Sequence, residues 1–346
     1  MLDRLLEKSV VASFASTGPR LRRRLFDWDR LERRSLAGKV VVLSGATSGI
    51  GEAAAALFAA QGATLEILAR DRTKAMRTVA RLRRESGNPR VAATIADLGD
   101  LDQVRTAAET LASRHERIDV LAHNAGALFP ERRRTADGMD LSVELMVSAP
   151  FLLTGLLLER LRGGASAARI DSGGAVTDRT EVDRTAPGRV LTMSSGGMYT
   201  EPLAVADLQM EEASYRGTVQ YARAKRAQVS LNEAWAARVP ANETVFHALH
   251  PGWVDTPGIT GALPGFSRAL STLGLLRTAR EGADTLAWLA NDGAALGSSG
   301  DFWLDRERRP THRLARTRES DTAERRARLW CWCEARTGWS FDAVSG

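Results

Sequence analysis

The stretch that decides the fold is Val40-Val41-Val42-Leu43-Ser44-Gly45-Ala46-Thr47-Ser48-Gly49-Ile50-Gly51, with the Ala-rich run that follows it to Gln61. Val40 to Ser44 is a short, mostly β-branched block, the pattern of a buried strand. Gly49 to Gln61 reads as a helix that ends at Gly62. Between them lies a turn with the spacing G-x-x-x-G-x-G. Glycine suits a place where the chain turns sharply and where backbone must approach a bound group with no Cβ in the way. The helix beyond directs its free N–H groups and positive dipole end at the same place, which suits an anion such as a pyrophosphate. Spacing alone also fits a purely structural turn. The strand before it and the helix after it favour the dinucleotide reading.

Outward from this turn, short apolar blocks alternate with helical ones. Thr64 to Ala69 reads as a strand, Thr73 to Glu85 as a basic helix stopping at Ser86-Gly87, and Val91 to Ala96 as a third strand. Val104 to Ser113 and Ile118 to Asn124 continue the alternation. The second half repeats it, with a long helix from Asp140 to Leu161, a strand at Val190 to Met193, a helix from Tyr221 to Ala237 and a strand at Val245 to Leu249. Strands separated by helical crossovers predict an α/β fold, a doubly wound parallel sheet of Rossmann type. Ligands then bind beyond the C-terminal strand ends. This single domain spans 37–304. Residues 1–36 read as a separate amphipathic N-terminal extension with an Arg cluster after Pro19, and 305–346 as a basic C-terminal tail with a helix around Leu329, Trp330 and Trp332. Residues 163–188 have no hydrophobic period and read as a flexible insertion.

Composition narrows the function classes. The chain has 346 residues, a net charge of +6 and 44% hydrophobic residues, enough for a sizeable core. Much of the basic excess sits near the ends, from Arg20 to Arg34 and from Arg306 to Arg328, so it does not predict a nucleic-acid partner. Cys331 and Cys333 form C-x-C, which fits neither a disulfide framework nor a zinc site, and no metal is expected. The most apolar run, Leu145 to Leu158, is short of the ~20 residues of a membrane span. No secretory leader is apparent, and a cytoplasmic protein is expected.

Three further segments carry chemistry when joined to the glycine turn. Asp97-Leu98 follows the third strand and Asn124-Ala125-Gly126 follows the fourth. Ser194-Ser195 ends a later strand and precedes Tyr221-Ala222-Arg223-Ala224-Lys225. Together, over roughly residues 38–260, these resemble the short-chain dehydrogenase/reductase family, with Ser44 in place of the usual threonine and His123 where a second Asn is frequent. The stretches Ser194 to Tyr199, Tyr221 to Gln228 and His250-Pro251-Gly252-Trp253-Val254-Asp255-Thr256-Pro257-Gly258 resemble one branch more particularly, that called dehydrogenase/reductase family member twelve.

The resemblance implies a nicotinamide cofactor held by Gly45, Thr47, Ser48, Gly49, Ile50, Gly51, Asp97, Leu98, Asn124, Ala125 and Gly126. It further implies Tyr221, Lys225, Pro251, Gly252, Val254 and Thr256 at the nicotinamide end. An acidic residue at the end of the second strand selects NAD, whereas an arginine favours the 2′-phosphate of NADP. Here Ala69 stands at the acidic position and Arg70 follows, so NADP is expected over NAD. Asp71 complicates this, although one residue later it would cap the next helix.

Ser195, Tyr221 and Lys225 are the expected catalytic set. Tyr221 would give a proton to the carbonyl oxygen, and Ser195 would hydrogen-bond that oxygen. Lys225, one helical turn from Tyr221, would lower the phenol pKa and hold the nicotinamide ribose. Met198, Tyr199, Trp253, Leu263 and Phe266 are candidates for an apolar substrate pocket, or for plain core. The segment Met198 to Val219 is expected to fold over the substrate side. Met146 falls where many relatives carry an Asn that holds a relay water, so the proton route is either rewired or slow. The leading expectation is an oxidoreductase acting on a small carbonyl or alcohol. The alternative is a cofactor-binding, catalytically weak protein that reports NADP(H) to a partner. A homo-oligomer built on the Leu152–Leu158 helix face is expected. Peripheral membrane contact through residues 1–34, by Leu5, Leu6, Val10, Val11 and Phe14 with the Arg cluster, competes with packing of that segment on the domain.

Overall fold

The computed structural model describes residues 3, 6, 7, 9–163, 185–256 and 264–342, the side chains of residues 264, 266, 267 and 269 excepted. Its centre is a sheet of β1 (Val40–Ser44), β2 (Thr64–Ala69), β3 (Val91–Ile95), β4 (Val120–His123), β5 (Gly188–Met193), β6 (Thr244–Leu249), β7 (Phe302–Leu304) and β8 (Glu307–Arg309). Strand order is β3-β2-β1-β4-β5-β6-β7-β8, parallel throughout except for the β7–β8 pair. The order reverses between β1 and β4, which opens a crevice at their C-terminal ends. Strands read as unbroken apolar runs because helices cover both faces.

On one face lie α3 (Gly49–Ala60), α4 (Arg72–Ser86) and α10 (Ala279–Leu289), whose small residues let helix and sheet approach closely. The other face carries α5 (Leu101–Arg114), α6 (Leu141–Val143), α7 (Ala149–Leu161), α8 (Gly217–Ala236) and the C-terminal α12 (Ala323–Thr337). Shorter helices are α1 (Val10–Phe14), α2 (Thr17–Leu25), α9 (Pro264–Thr272) and α11 (Ala315–Ser320). The expected helix from Asp140 to Leu161 is interrupted. Asp140 caps α6, a π turn occupies Glu144–Ser148, and α7 follows. The 21-residue run Leu141–Leu161 is long and apolar enough to cross a membrane, yet most of it is buried against the sheet as a core helix.

Two boundaries differ from the expected ones. Gly188, expected in the insertion, already pairs with Thr244 in the sheet; residues 164–184 of that insertion lie outside the described residues. The boundary at 304/305 cuts a hairpin, because Asp305 and Arg306 form the turn joining β7 to β8 with φ of 53° and 59°. Such positive φ at both turn positions usually calls for Asn-Gly or Asp-Gly. Here ion pairs hold the two side chains: Asp305 with Arg22 and Arg277, Arg306 with Asp284 and Asp29.

The extensions are not separate from the domain. Arg22 of α2 is fully buried and bonds Asp3, Glu7 and Asp305 at 2.7, 3.0 and 2.5 Å. Arg309 reaches back to Asp3, and Arg326 bonds Glu233 of α8. Several of the terminal arginines are therefore paired with carboxylates within the chain. Removing one partner of such a buried pair costs about 3–5 kcal/mol, since the other charge is stranded. At the opposite end, Trp330 and Trp339 close on Phe151 of α7 and Trp235 of α8, with centroids 4.7–5.5 Å apart. A Cβ on Gly155 would lie 2.4 Å from the Trp339 ring. Leu152, Leu157 and Leu158 are buried within this one chain. The helix face expected to pair two subunits is covered by the chain's own C-terminal segment.

Candidate active site

The crevice at the switch point is a cleft of about 720 Å³. Its floor is the glycine turn, built by its neighbours. Gly45 has φ +71°, and a Cβ there would sit 2.8 Å from Ala125 Cα. A Cβ on Gly51 would sit 2.1 Å from the Gly45 carbonyl oxygen. Asn124 Nδ2 donates to the carbonyls of Ser44 and Gly45 at 3.0 and 3.2 Å, and Ser44 Oγ accepts from the Asn124 and Ala125 amides, both at 3.0 Å. Ser44 thus fastens β1 to the end of β4. At the start of α3, Ser48 makes no side-chain capping bond. Thr47, Ser48, Gly49, Ile50 and Gly51 all line the cleft. Uncapped amides at a helix start, with no Cβ in the way, fit a pyrophosphate.

At the adenosine end the cleft is walled by Ala69, Arg70, Asp71, Lys74, Asp97 and Leu98. Asp71 caps α4, accepting from the Lys74 amide at 2.9 Å, so its carboxylate is turned toward the helix. Asp97 accepts from the Gly99 amide at 2.9 Å. Arg70 is exposed. Lys74, which no sequence motif marks, brings a second cation to this end. It lies four residues beyond Arg70, in the first turn of α4, on a helix whose many basic residues hide it among solvated charges.

The other end brings Ser195, Tyr221 and Lys225 to one wall. Ser194 is buried and donates to the Lys225 carbonyl at 3.0 Å, which pins α8 to the end of β5. Ser195 instead faces the cleft, its Oγ accepting from the Gly197 amide at 3.2 Å. Burial raises the Tyr221 phenol above its ordinary value, and a hydrogen bond with Ser195 pulls the other way. Burial lowers Lys225 to about 7. Its Nζ lies 5.5 Å from the Tyr221 ring centroid and donates to the Met193 carbonyl at 2.7 Å. Against the expected lowering by Lys225, burial dominates at the Tyr221 phenol. Both groups are desolvated, which disfavours the charged form of each. Met146 is buried on the π turn. A Cβ on Gly126 would lie 3.3 Å from its Sδ and 3.2 Å from Lys225 Nζ, so both side chains border that glycine.

Pro251, Gly252, Val254 and Thr256 form the facing wall with Trp253. Two of the expected substrate residues do not reach the cleft. Met198 and Tyr199 lie on a 3-10 turn (Gly196–Tyr199) that rolls them into a core with Phe14, Val229, Phe302 and Leu304. Tyr199 donates to the Pro310 carbonyl at 2.8 Å. Leu263 and the Phe266 side chain lie outside the described residues. The apolar wall is instead made by Leu128, Phe129, Leu145 and Trp253. Of the Met198 to Val219 segment, Thr200 and Thr218 line the cleft while Leu203, Leu208 and Met210 are buried in the body.

A family profile described as short chain dehydrogenase matches residues 39–175. The chain is 35% identical over 290 residues to Dehydrogenase/reductase SDR family member 12 of Homo sapiens, covering 84% of this chain and 83% of that protein. It is 31% identical over 297 residues to retinol dehydrogenase 12 of Homo sapiens, covering 85% of each. Among solved structures, a protein of Mycobacterium Paratuberculosis aligns with a TM-score of 0.65 at 24% identity, over 89% of this chain and 96% of that one. A short chain dehydrogenase of Burkholderia cenocepacia J2315, crystallised in complex with NADP, aligns with a TM-score of 0.59 at 22% identity, over 77% and 96%. At these identities the structural likeness is one of fold.

Proposed function

This chain belongs to the short-chain dehydrogenase/reductase family and is an NAD(P)-dependent oxidoreductase, and from that premise we propose that it prefers NADP and interconverts a carbonyl and an alcohol on an apolar small molecule. The observation that carries the reading is the meeting of Ser195, Tyr221 and Lys225 on one wall of a cleft that begins at the glycine turn. A nicotinamide cofactor bound there supplies or accepts the hydride. In reduction, Tyr221 gives its phenolic proton to the substrate oxygen, which a neutral, high-pKa phenol can do at neutral pH. Ser195 hydrogen-bonds the same oxygen and orients it. Lys225, poised near neutrality by burial, returns a proton toward Tyr221.

Preference for NADP rests on Arg70 and Lys74 at the adenosine end, with Ala69 in place of an acid. Two cations beside a 2′-phosphate make charge-assisted bonds that a ribose hydroxyl cannot return. The apolar substrate class rests on Leu128, Phe129, Leu145 and Trp253, and retinol in a relative's name is of that chemical kind. Cytoplasmic location is part of the proposal, and recovery of the protein in salt-washed membranes would overturn it. The test of function is a screen of aromatic and aliphatic ketones and aldehydes with NADPH and NADH, followed at the nicotinamide absorbance band. Turnover faster with NADPH on apolar carbonyls is expected. No turnover of any carbonyl, with cofactor still bound, would favour the NADP(H)-reporting alternative.

A further inference from the structure

The N-terminal segment enters the active site's support through one side chain. Ser9 caps α1, accepting from the Ala12 amide, and the helix leaves Val10 and Val11 in solvent while turning Ser13 and Phe14 inward. The Phe14 ring packs edge-on against His250 at 4.3 Å and Trp253 at 6.0 Å. It also closes on Gly196, where a Cβ would fall 2.8 Å from Phe14 Cε2. Gly196 follows Ser195 directly. The Phe14 carbonyl accepts from the Trp253 amide at 2.8 Å and from Arg277 Nε at 2.9 Å.

Arg277 completes the clamp. It is 1% exposed and donates to the carbonyls of Ser13, Ala15 and Pro251 and to both oxygens of Asp305. Its own amide donates to the Trp253 carbonyl, and its carbonyl accepts from the Asp255 amide. Gly252 has φ +79°, and a Cβ there would fall 2.2 Å from Arg277 Nε and 2.6 Å from the Phe14 oxygen. Two walls of the cleft, the Ser195 turn and the Pro251–Thr256 loop, thus rest on the same residue, one on its ring and the other on its ring and its carbonyl.

We propose that Phe14 is a positioning residue for the reaction: it is a wedge, backed by Arg277, that fixes the Ser195 turn and the Pro251–Thr256 loop relative to each other. This rests on the reading of those two elements as the catalytic and cofactor walls. Displacing either by about 1 Å is on the scale that costs roughly 10²-fold in rate. The contact is steric on one side and hydrogen-bonded on the other, so a shorter side chain should loosen the Ser195 turn before the loop.

The test uses the full chain with Phe14→Leu, Gly196→Ala and the pair together. Phe14→Leu should lower kcat and raise KM for NADPH, and amide exchange without cofactor should quicken in 195–199 and 250–256 but not in 40–69. Gly196→Ala drives a methyl into the ring and should cost about 10²-fold in kcat/KM. The shorter leucine side chain in the double variant should recover at least about tenfold of that loss. Non-additivity of this sign between touching residues is the signature of a direct contact. Additive losses, or exchange that rises equally in all three segments, would overturn the wedge and leave Phe14 as ordinary core. The exchange measurement needs no substrate, so it stands apart from any failure of the carbonyl screen.

Discussion

The two long walls of the cleft are built by different means. The pyrophosphate side is built between adjacent strand ends that each carry a motif: Ser44, Gly45, Gly51 and Asn124 hold one another at the ends of β1 and β4, through short bonds and glycine approaches. The opposite side is propped from far along the chain. Trp253 hangs on Phe14 and Gly252 is pressed by Arg277, which shares Asp305 with Arg22. A wall built from motifs can be read from spacing. A wall held by Phe14, more than two hundred residues before it and marked by no motif, cannot.

The largest expected effect lies where the walls meet. Tyr221→Phe keeps the ring and removes the hydroxyl, so cofactor titration should be unchanged while carbonyl reduction falls by roughly 10²- to 10⁴-fold. A variant that keeps most of its turnover would remove Tyr221 as the acid and with it the proposed chemistry. Next comes the adenosine end. Arg70→Ala with Lys74→Ala should weaken NADPH by roughly 10- to 100-fold, the worth of a charged hydrogen bond at about 1.5–3 kcal/mol. NADH should be nearly untouched. Fluorescence titration of both cofactors checks this, and equal weakening of the two would place the 2′-phosphate elsewhere.

Lys225 gives a smaller effect that needs no substrate. Its pKa falls from 10.5 to about 7 on folding. Between those values the unfolded chain holds a proton that the folded chain lacks, so stability rises with pH across that window. Below 7 both states are protonated and this group contributes no slope. The slope from one such group is at most about 1.4 kcal/mol per pH unit. Urea unfolding of the parent and of Lys225→Met, from about pH 6 to 10, should show the parent gaining stability relative to the variant as pH rises. Parallel curves would mean that Lys225 titrates normally.

Legibility followed the same division. Glycines that a Cβ would clash with, the YxxxK pair on one helical turn, and strands buried on both faces leave periodic or spaced marks, and these place most of the sheet to within a residue or two. Met198 and Tyr199 read as pocket residues because apolar side chains beside a catalytic serine carry no mark of direction. The 3-10 turn after Ser195, set by Gly196 and Gly197, sends them into the core. The β7–β8 hairpin stays hidden because Asp305-Arg306 takes its positive φ from ion pairs rather than from glycine. The terminal arginines read as solvated charge. Their partners, Asp3, Glu7, Asp284 and Asp305, are scattered over the whole sequence.

The smallest expected effect bears on Met146, the residue expected from the sequence to stand where many relatives carry an Asn. Met146 and Lys225 both border Gly126, where a Cβ would lie 3.3 Å from the sulfur and 3.2 Å from the Nζ. A thioether is a weak acceptor and no donor, so it holds a relay water poorly. Met146→Asn should restore that capacity and raise turnover a few-fold, with cofactor affinity unchanged and a smaller solvent deuterium isotope effect. The competing account is that the route already runs through Gln228, three residues beyond Lys225 on α8, whose buried amide has no bonding partner among the described residues. In that case the introduced asparagine is an extra buried amide costing about 1–3 kcal/mol if unpaired. Thermal stability would fall with turnover level or lower, and Gln228→Leu would then be the variant that slows the enzyme. Comparing the two single variants by turnover, isotope effect and melting temperature decides between them, because only an interrupted relay at Met146 predicts a faster enzyme.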